Sequence, residues 1–146
     1  MNSIFRTFLV IMVMITATVE VQGQKKLDQQ AVADLQKTPK YAFVLTTERH
    51  FKGVLNMYDL LIENGVLIED YEIVVKGKVV TQLVKDSELE KFFQKYKGKV
   101  KVSVCSVAME KLGVAEETLF DGLNVTPTAS VRVLQLQANG YNTLTY

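Results

Sequence analysis

The chain has 146 residues, 48% of them hydrophobic, with 17 Lys and Arg set against 16 Asp and Glu. That length builds one ordinary domain with a packed core, and charges that nearly cancel exclude a chain made to hold nucleic acid or an acidic membrane surface. A single cysteine excludes an internal disulfide, and with a single histidine it cannot complete the usual four-ligand zinc site within one chain.

Residues 1–23 place one cation, Arg6, ahead of a short apolar run from Phe8 to Ile15 and a small and polar exit ending in Val21 and Gly23. This order reads as a secretory signal peptide cleaved before Gln24. The apolar run falls well short of the ~20 residues that a spanning helix needs. The expectation is therefore an exported protein, periplasmic or secreted, with no membrane span after processing. No cysteine lies near the cleavage position to carry a lipid.

Residues 24–40 are polar, with Leu27, Ala31, Val32, Ala33 and Leu35 the apolar exceptions, and read as a leader holding one weak helix. The domain proper is expected over residues 41–146. Tyr41 to Thr47 is a near-continuous apolar strand of the kind covered on both faces of a parallel sheet. Phe51, Val54, Leu55, Tyr58, Leu61 and Ile62 then share a helical face that Asn64 and Gly65 close. Tyr71 to Val75 is a second buried strand, with a loop and a short helical turn after Lys76-Gly77-Lys78. Ser87 and Glu90 form a capping box for a helix carrying Leu89, Phe92, Phe93 and Tyr96.

Val100, Val102 and Val104 alternate with Lys101 and Ser103 as a third strand, and the spacing turns helical through Val107, Ala108, Lys111 and Leu112 up to Gly113. Cys105 thus stands where a strand hands over to a helix. A fourth strand follows at Leu123 to Thr126, with Thr126 and Pro127 read as cap and first residue of the next helix. The apolar spacing of residues 129–140 fits neither period, and its place between strands assigns it to helix. The last residues, from Tyr141, make a fifth strand. Alternation of this kind gives an α/β fold of three layers, an open, mostly parallel five-stranded sheet with helices on both faces. Asn124-Val125-Thr126 matches a glycosylation sequon but falls in an expected buried strand.

In such sheets functional groups gather at the carboxyl ends of the strands. The loops there hold Arg49 and His50, Lys76, and Cys105 with Ser106. Unpaired backbone N–H groups in the helix's first turn, together with nearby cations from Arg49, His50 or Lys76, would favour the thiolate of Cys105. A free cysteine packs just as readily as a small buried hydrophobe. No GxGxxG or Walker loop, GxSxG elbow or CxxC pair occurs, so phosphate cradling, hydrolase chemistry and dithiol redox lack a motif, and no cofactor or metal is implied.

From Tyr41 to Tyr146 the chain resembles the DsrE-like family of sulfur-handling proteins. The match lies in the order of parts: IVVKG with an apolar turn, VKVSVCSVAMEKLGV, and the ending LQLQANGYNTLTY. The resemblance implies a three-layer domain that assembles as trimers or hexamers, with the cysteine matching Cys105 carrying a persulfide between a donor and an acceptor protein. It implies a sulfur carrier rather than a turnover enzyme. A non-catalytic oligomeric module that binds a small ligand or protein is the alternative, and a redox-sensing thiol that pairs between subunits is a third reading.

Overall fold

The structure, a computed structural model, describes residues 26–146, so the signal-peptide reading of residues 1–23 lies outside the described residues. Five strands, β1 (Lys40–Leu45), β2 (Asp70–Val75), β3 (Lys101–Cys105), β4 (Leu123–Thr126) and β5 (Asn142–Thr145), form one all-parallel sheet in the order β4-β3-β2-β1-β5. Five helices connect or precede them: α1 (Gln29–Gln36), α2 (Glu48–Glu63), α3 (Glu88–Phe93), α4 (Ser106–Leu112) and α5 (Ala129–Ala138). The expected short turn after Gly77 is a 3-10 helix at Lys78–Gln82.

Side chains alternate across the strands, and the two faces of the sheet are covered unequally. Tyr41, Phe43 and Leu45 of β1, Tyr71, Ile73 and Val75 of β2, and Val102 and Val104 of β3 point into one large core. That core is closed by Phe51, Val54, Leu55 and Leu61 of α2, Leu89 and Phe93 of α3, and Met109 of α4. Tyr71 is fully buried there, and its hydroxyl donates to the Val54 carbonyl at 2.7 Å, which offsets the cost of burying a polar group. The opposite face presents Ala42, Val44, Val74 and Cys105 to a smaller cluster whose buried helical members, Ala129 and Leu136, come from α5.

The strand order explains this division. The chain steps from β1 to β4 in one direction, then returns through α5 to add β5 on the far side of β1. Right-handed crossovers in opposite directions place their helices on opposite faces. The direction reverses between β1 and β5, which makes their carboxyl ends the topological switch point of the sheet.

The weak helix expected within residues 24–40 is α1, capped by Asp28, and Leu27, Val32 and Leu35 of this segment pack against the large core. Two local expectations are corrected. The cap of α5 is Thr128, whose hydroxyl accepts from the Val131 N–H at 3.1 Å, two residues after the expected Thr126. Thr126 is held in β4 by its pairing with Cys105. Finally, β4 is an edge strand, and Asn124 of the sequon is exposed on it rather than buried.

Candidate functional site at the carboxyl ends of the strands

Cys105 ends β3 and stands at the N-cap position of α4, at the expected strand-to-helix corner. It is 6% exposed and packs with Ala42, Val44, Val74, Ala129 and Leu136, with Ala108, Val133 and Tyr141 at the margin. No hydrogen bond runs from the first turn of α4 to its side chain. Its surroundings are aliphatic.

The other expected residues are spread along the rim. Ser106 is the first residue of α4, and its hydroxyl donates to the Pro127 carbonyl at 2.9 Å, tying that helix to the loop before α5. Arg49 and His50 lie in the first turn of α2, capped by the Thr47 hydroxyl. That helix covers the large core, on the face of the sheet away from Cys105, and β2 lies between β1 and β3. Arg49 is exposed and lines a groove of about 450 Å³ with Thr46, Lys78, Gln82 and Leu112. His50 turns toward the β5 edge, its ring centroid 5.0 Å from that of Tyr146. Its Nδ1 is buried without a hydrogen-bond partner among the described residues.

Lys76 follows β2 directly and is exposed. It lines a groove of about 370 Å³ between α5 and the ends of β1 and β5, with Val44, Ala129, Ser130, Val133, Leu134, Gln137 and Thr145. Val44, Ala129 and Val133 are also members or neighbours of the cluster that holds Cys105. Of the cations expected near the thiol, Lys76 is thus the one whose groove shares walls with it. The next residue, Gly77, has φ +71° and ψ −162°, and a Cβ there would lie 3.3 Å from the Thr46 Cβ. Only glycine lets the chain pass the end of β1 at that point.

Sequence reasoning missed the polar network beneath α5. Glu72 of β2 is 1% exposed, and it accepts from Arg132 Nε and Nη2 at 2.7 Å each and from the Ser103 hydroxyl at 2.6 Å. The bidentate fork raises the guanidinium's pKa further through its bonds to Glu72. Beside it, Asp70 accepts from Lys101 and from the Tyr141 hydroxyl. Burial pushes the Asp70 carboxyl up, but those hydrogen bonds and the Lys101 charge outweigh it and hold the group below its usual value. Burial, aided by the bond to Asp70, pushes the Tyr141 phenol up to about 12. The signal available in the sequence was a lone acid in the apolar strand YEIVV and a lone arginine in the apolar helix of residues 129–138. Together they fix α5, and with it Ala129 and Val133, over the thiol.

Among the described residues, no group of three or more His, Cys, Asp or Glu could hold a metal ion, and no helix is long and apolar enough to cross a membrane.

Comparisons place the architecture among known proteins. MTH1491 of Methanobacterium thermoautotrophicum, a protein of unknown function, is 19% identical with a TM-score of 0.62, the match covering 73% of this chain and 98% of that one. BT1422 of Bacteroides thetaiotaomicron, a conserved protein of unknown function, is 19% identical with a TM-score of 0.57, covering 77% and 98%. The ychN protein of E. coli is 15% identical with a TM-score of 0.58, covering 73% and 99%. At these identities the likeness is one of fold. No curated protein matches the sequence. The model of the DsrE/DsrF-like family matches residues 30–146, which include all five strands and the Cys105 corner, and the chain belongs to that family.

Proposed function

We propose that this DsrE-family chain is an exported sulfur carrier in which Cys105 takes up sulfane sulfur and passes it on. The observation that carries this reading is the position of the chain's sole thiol, at the strand-to-helix corner on the carboxyl-end rim of the sheet. The Cys105 thiolate attacks the terminal sulfur of a donor persulfide. A new S–S bond forms on Cys105, the donor's S–S bond breaks, and the donor leaves as a thiolate. An acceptor thiolate then attacks that outer sulfur and releases Cys105 as a thiolate. The cycle needs no second cysteine, metal or external oxidant, and apolar walls would keep the loaded sulfur from water. The exposed apolar residues Val131 and Leu134 of α5, at 50% and 64%, support assembly as a homo-oligomer, trimer or hexamer. Residues 1–23 serve as the export signal.

A specific observation favours the rival reading of a non-catalytic binding module. Cys105 is buried among aliphatic side chains, with no capping hydrogen bond. Alkylation of the reduced, folded protein between pH 5 and 9, followed by intact-mass measurement, separates the two. The carrier reading expects Cys105 to label in the folded state. Labelling only after unfolding would leave the binding module.

A further inference from the structure

The helix that covers Cys105 is held to the sheet differently from the one that covers the other face. There α2 buries Phe51, Val54, Leu55 and Leu61 in the large core. By contrast α5 buries Ala129 and Leu136 and leaves Val131 and Leu134 at 50% and 64% exposure. Its specific attachment is the Arg132 fork on Glu72, a carboxylate 1% exposed and fixed on β2 in the middle of the sheet. Elements with few buried apolar contacts open at a free energy below that of global unfolding. Both ends of α5 can serve as joints: Thr128 enters the helix at φ −142°, and Gly140 follows it at φ +79°, a conformation that glycine adopts without strain. Outside these joints the chain is tied down, by the Ser106 hydroxyl on the Pro127 carbonyl and by the Tyr141 hydroxyl on Asp70.

The same helix seals the thiol. Ala129 and Leu136 pack in the Cys105 cluster with Val133 at its margin, and under them the cysteine is 6% exposed. Thiol exchange requires that a donor reach the attacking sulfur. The closed form denies that access, and β3 cannot retreat to give it, being paired with β2 on one side and β4 on the other. We propose that α5 is a lid over Cys105 and that the Glu72–Arg132 fork is its latch. The thiol is then reached by releasing this one helix while the sheet and the large core stay folded. The use of the lid in sulfur uptake rests on the sulfur-carrier reading; the motion itself does not.

Native-state hydrogen exchange measures the motion, and the alkylation rate of the reduced protein in water measures access to Cys105. All variants are compared at one protein concentration, because a second copy seated on Val131 and Leu134 would add to the closed state. Amides of α5 should exchange through an opening with little urea dependence, ahead of β1 and β2 amides that exchange only by global unfolding. Arg132→Met should speed both α5 exchange and Cys105 labelling about a hundredfold, because opening hydrates the Glu72 charge that the closed variant leaves unpaired. Arg132→Lys keeps the charge but not the fork and should speed them about tenfold. If Arg132→Met does not fold, Arg132→Lys carries the comparison. Leu55→Ala weakens the large core without touching α5 and should leave both rates unchanged in water. Equal acceleration by the Arg132 and Leu55 variants, or α5 amides as protected as those of β1 and β2, would overturn the lid. Fast labelling of the unaltered protein that the Arg132 variants do not change would also overturn it and leave the carrier intact. A lid that opens as described, over a thiol that gains no sulfur from a donor persulfide, would sink the carrier alone.

Discussion

Replacing Arg132 with methionine strips Glu72 of its bidentate partner while leaving an unbranched side chain over the sheet. Glu72 is 1% exposed and would keep only the Ser103 hydroxyl, so its charge would stand nearly alone in the interior. Removing one member of a fully buried pair costs about 3–5 kcal/mol. The Arg132 side chain is 32% exposed, so water reaches one end of the pair and the lower end of that range applies, about 3 kcal/mol. The double variant Glu72→Leu/Arg132→Met removes both charges and leaves only the Ser103 hydroxyl without its acceptor, a loss of about 1 kcal/mol. The double variant should therefore be more stable than Arg132→Met by about 2 kcal/mol. Urea unfolding followed by far-UV circular dichroism at pH 7 and fixed protein concentration measures this, and the single variant should also melt about 10 °C lower. A cost below about 1 kcal/mol for Arg132→Met, or a double variant as unstable as the sum of the singles, would refute the reasoning.

Asp70 sets an acid limit. Its folded-state pKa is depressed, so its contribution is present above the unfolded value of about 3.9 and is lost as pH falls through the folded value. Asp70→Asn should flatten the acid side of the stability profile, and an unchanged slope below pH 4 would contradict the Lys101 and Tyr141 contacts. Gly77→Ala forces a side chain into φ +71° against Thr46 and should cost about 2 kcal/mol, read from the urea midpoint; a neutral effect would mean the loop relaxes freely. Leu134→Glu should convert the proposed oligomer to monomer in sedimentation equilibrium, and an unchanged mass would remove α5 from the interface.

Much of the fold was legible because apolar periodicity reports which face of a segment is covered. Phe51, Val54 and Leu55 mark α2 at helical spacing, and the near-continuous run from Tyr41 to Leu45 marks a strand covered on both sides. The ambiguous segment of residues 129–140 had a physical cause. Its helix covers a face that is partly polar and leaves Val131 and Leu134 in solvent, so its apolar residues do not collect on one stripe. The site was legible as a set of positions on one rim but not as a set of contacts. Sequence put Cys105 and His50 at strand ends; only the strand order placed them two strands apart under different helices. The pairing of Glu72 with Arg132 spans 60 positions and depends on the crossover that no local pattern encodes.

The position of β1 has a consequence for how the chain is made. Tyr41 pairs with Tyr71 on one side, but on the other it pairs with Asn142, about a hundred positions later. Closing the longer span costs about 1 kcal/mol more entropy than the shorter one, and β5 is the last of the five strands to emerge from the ribosome. Until then the most apolar strand of the sheet is an open edge able to template a neighbouring chain. Emergence of β5 therefore ends the period in which this edge of a nascent sheet is most prone to aggregate.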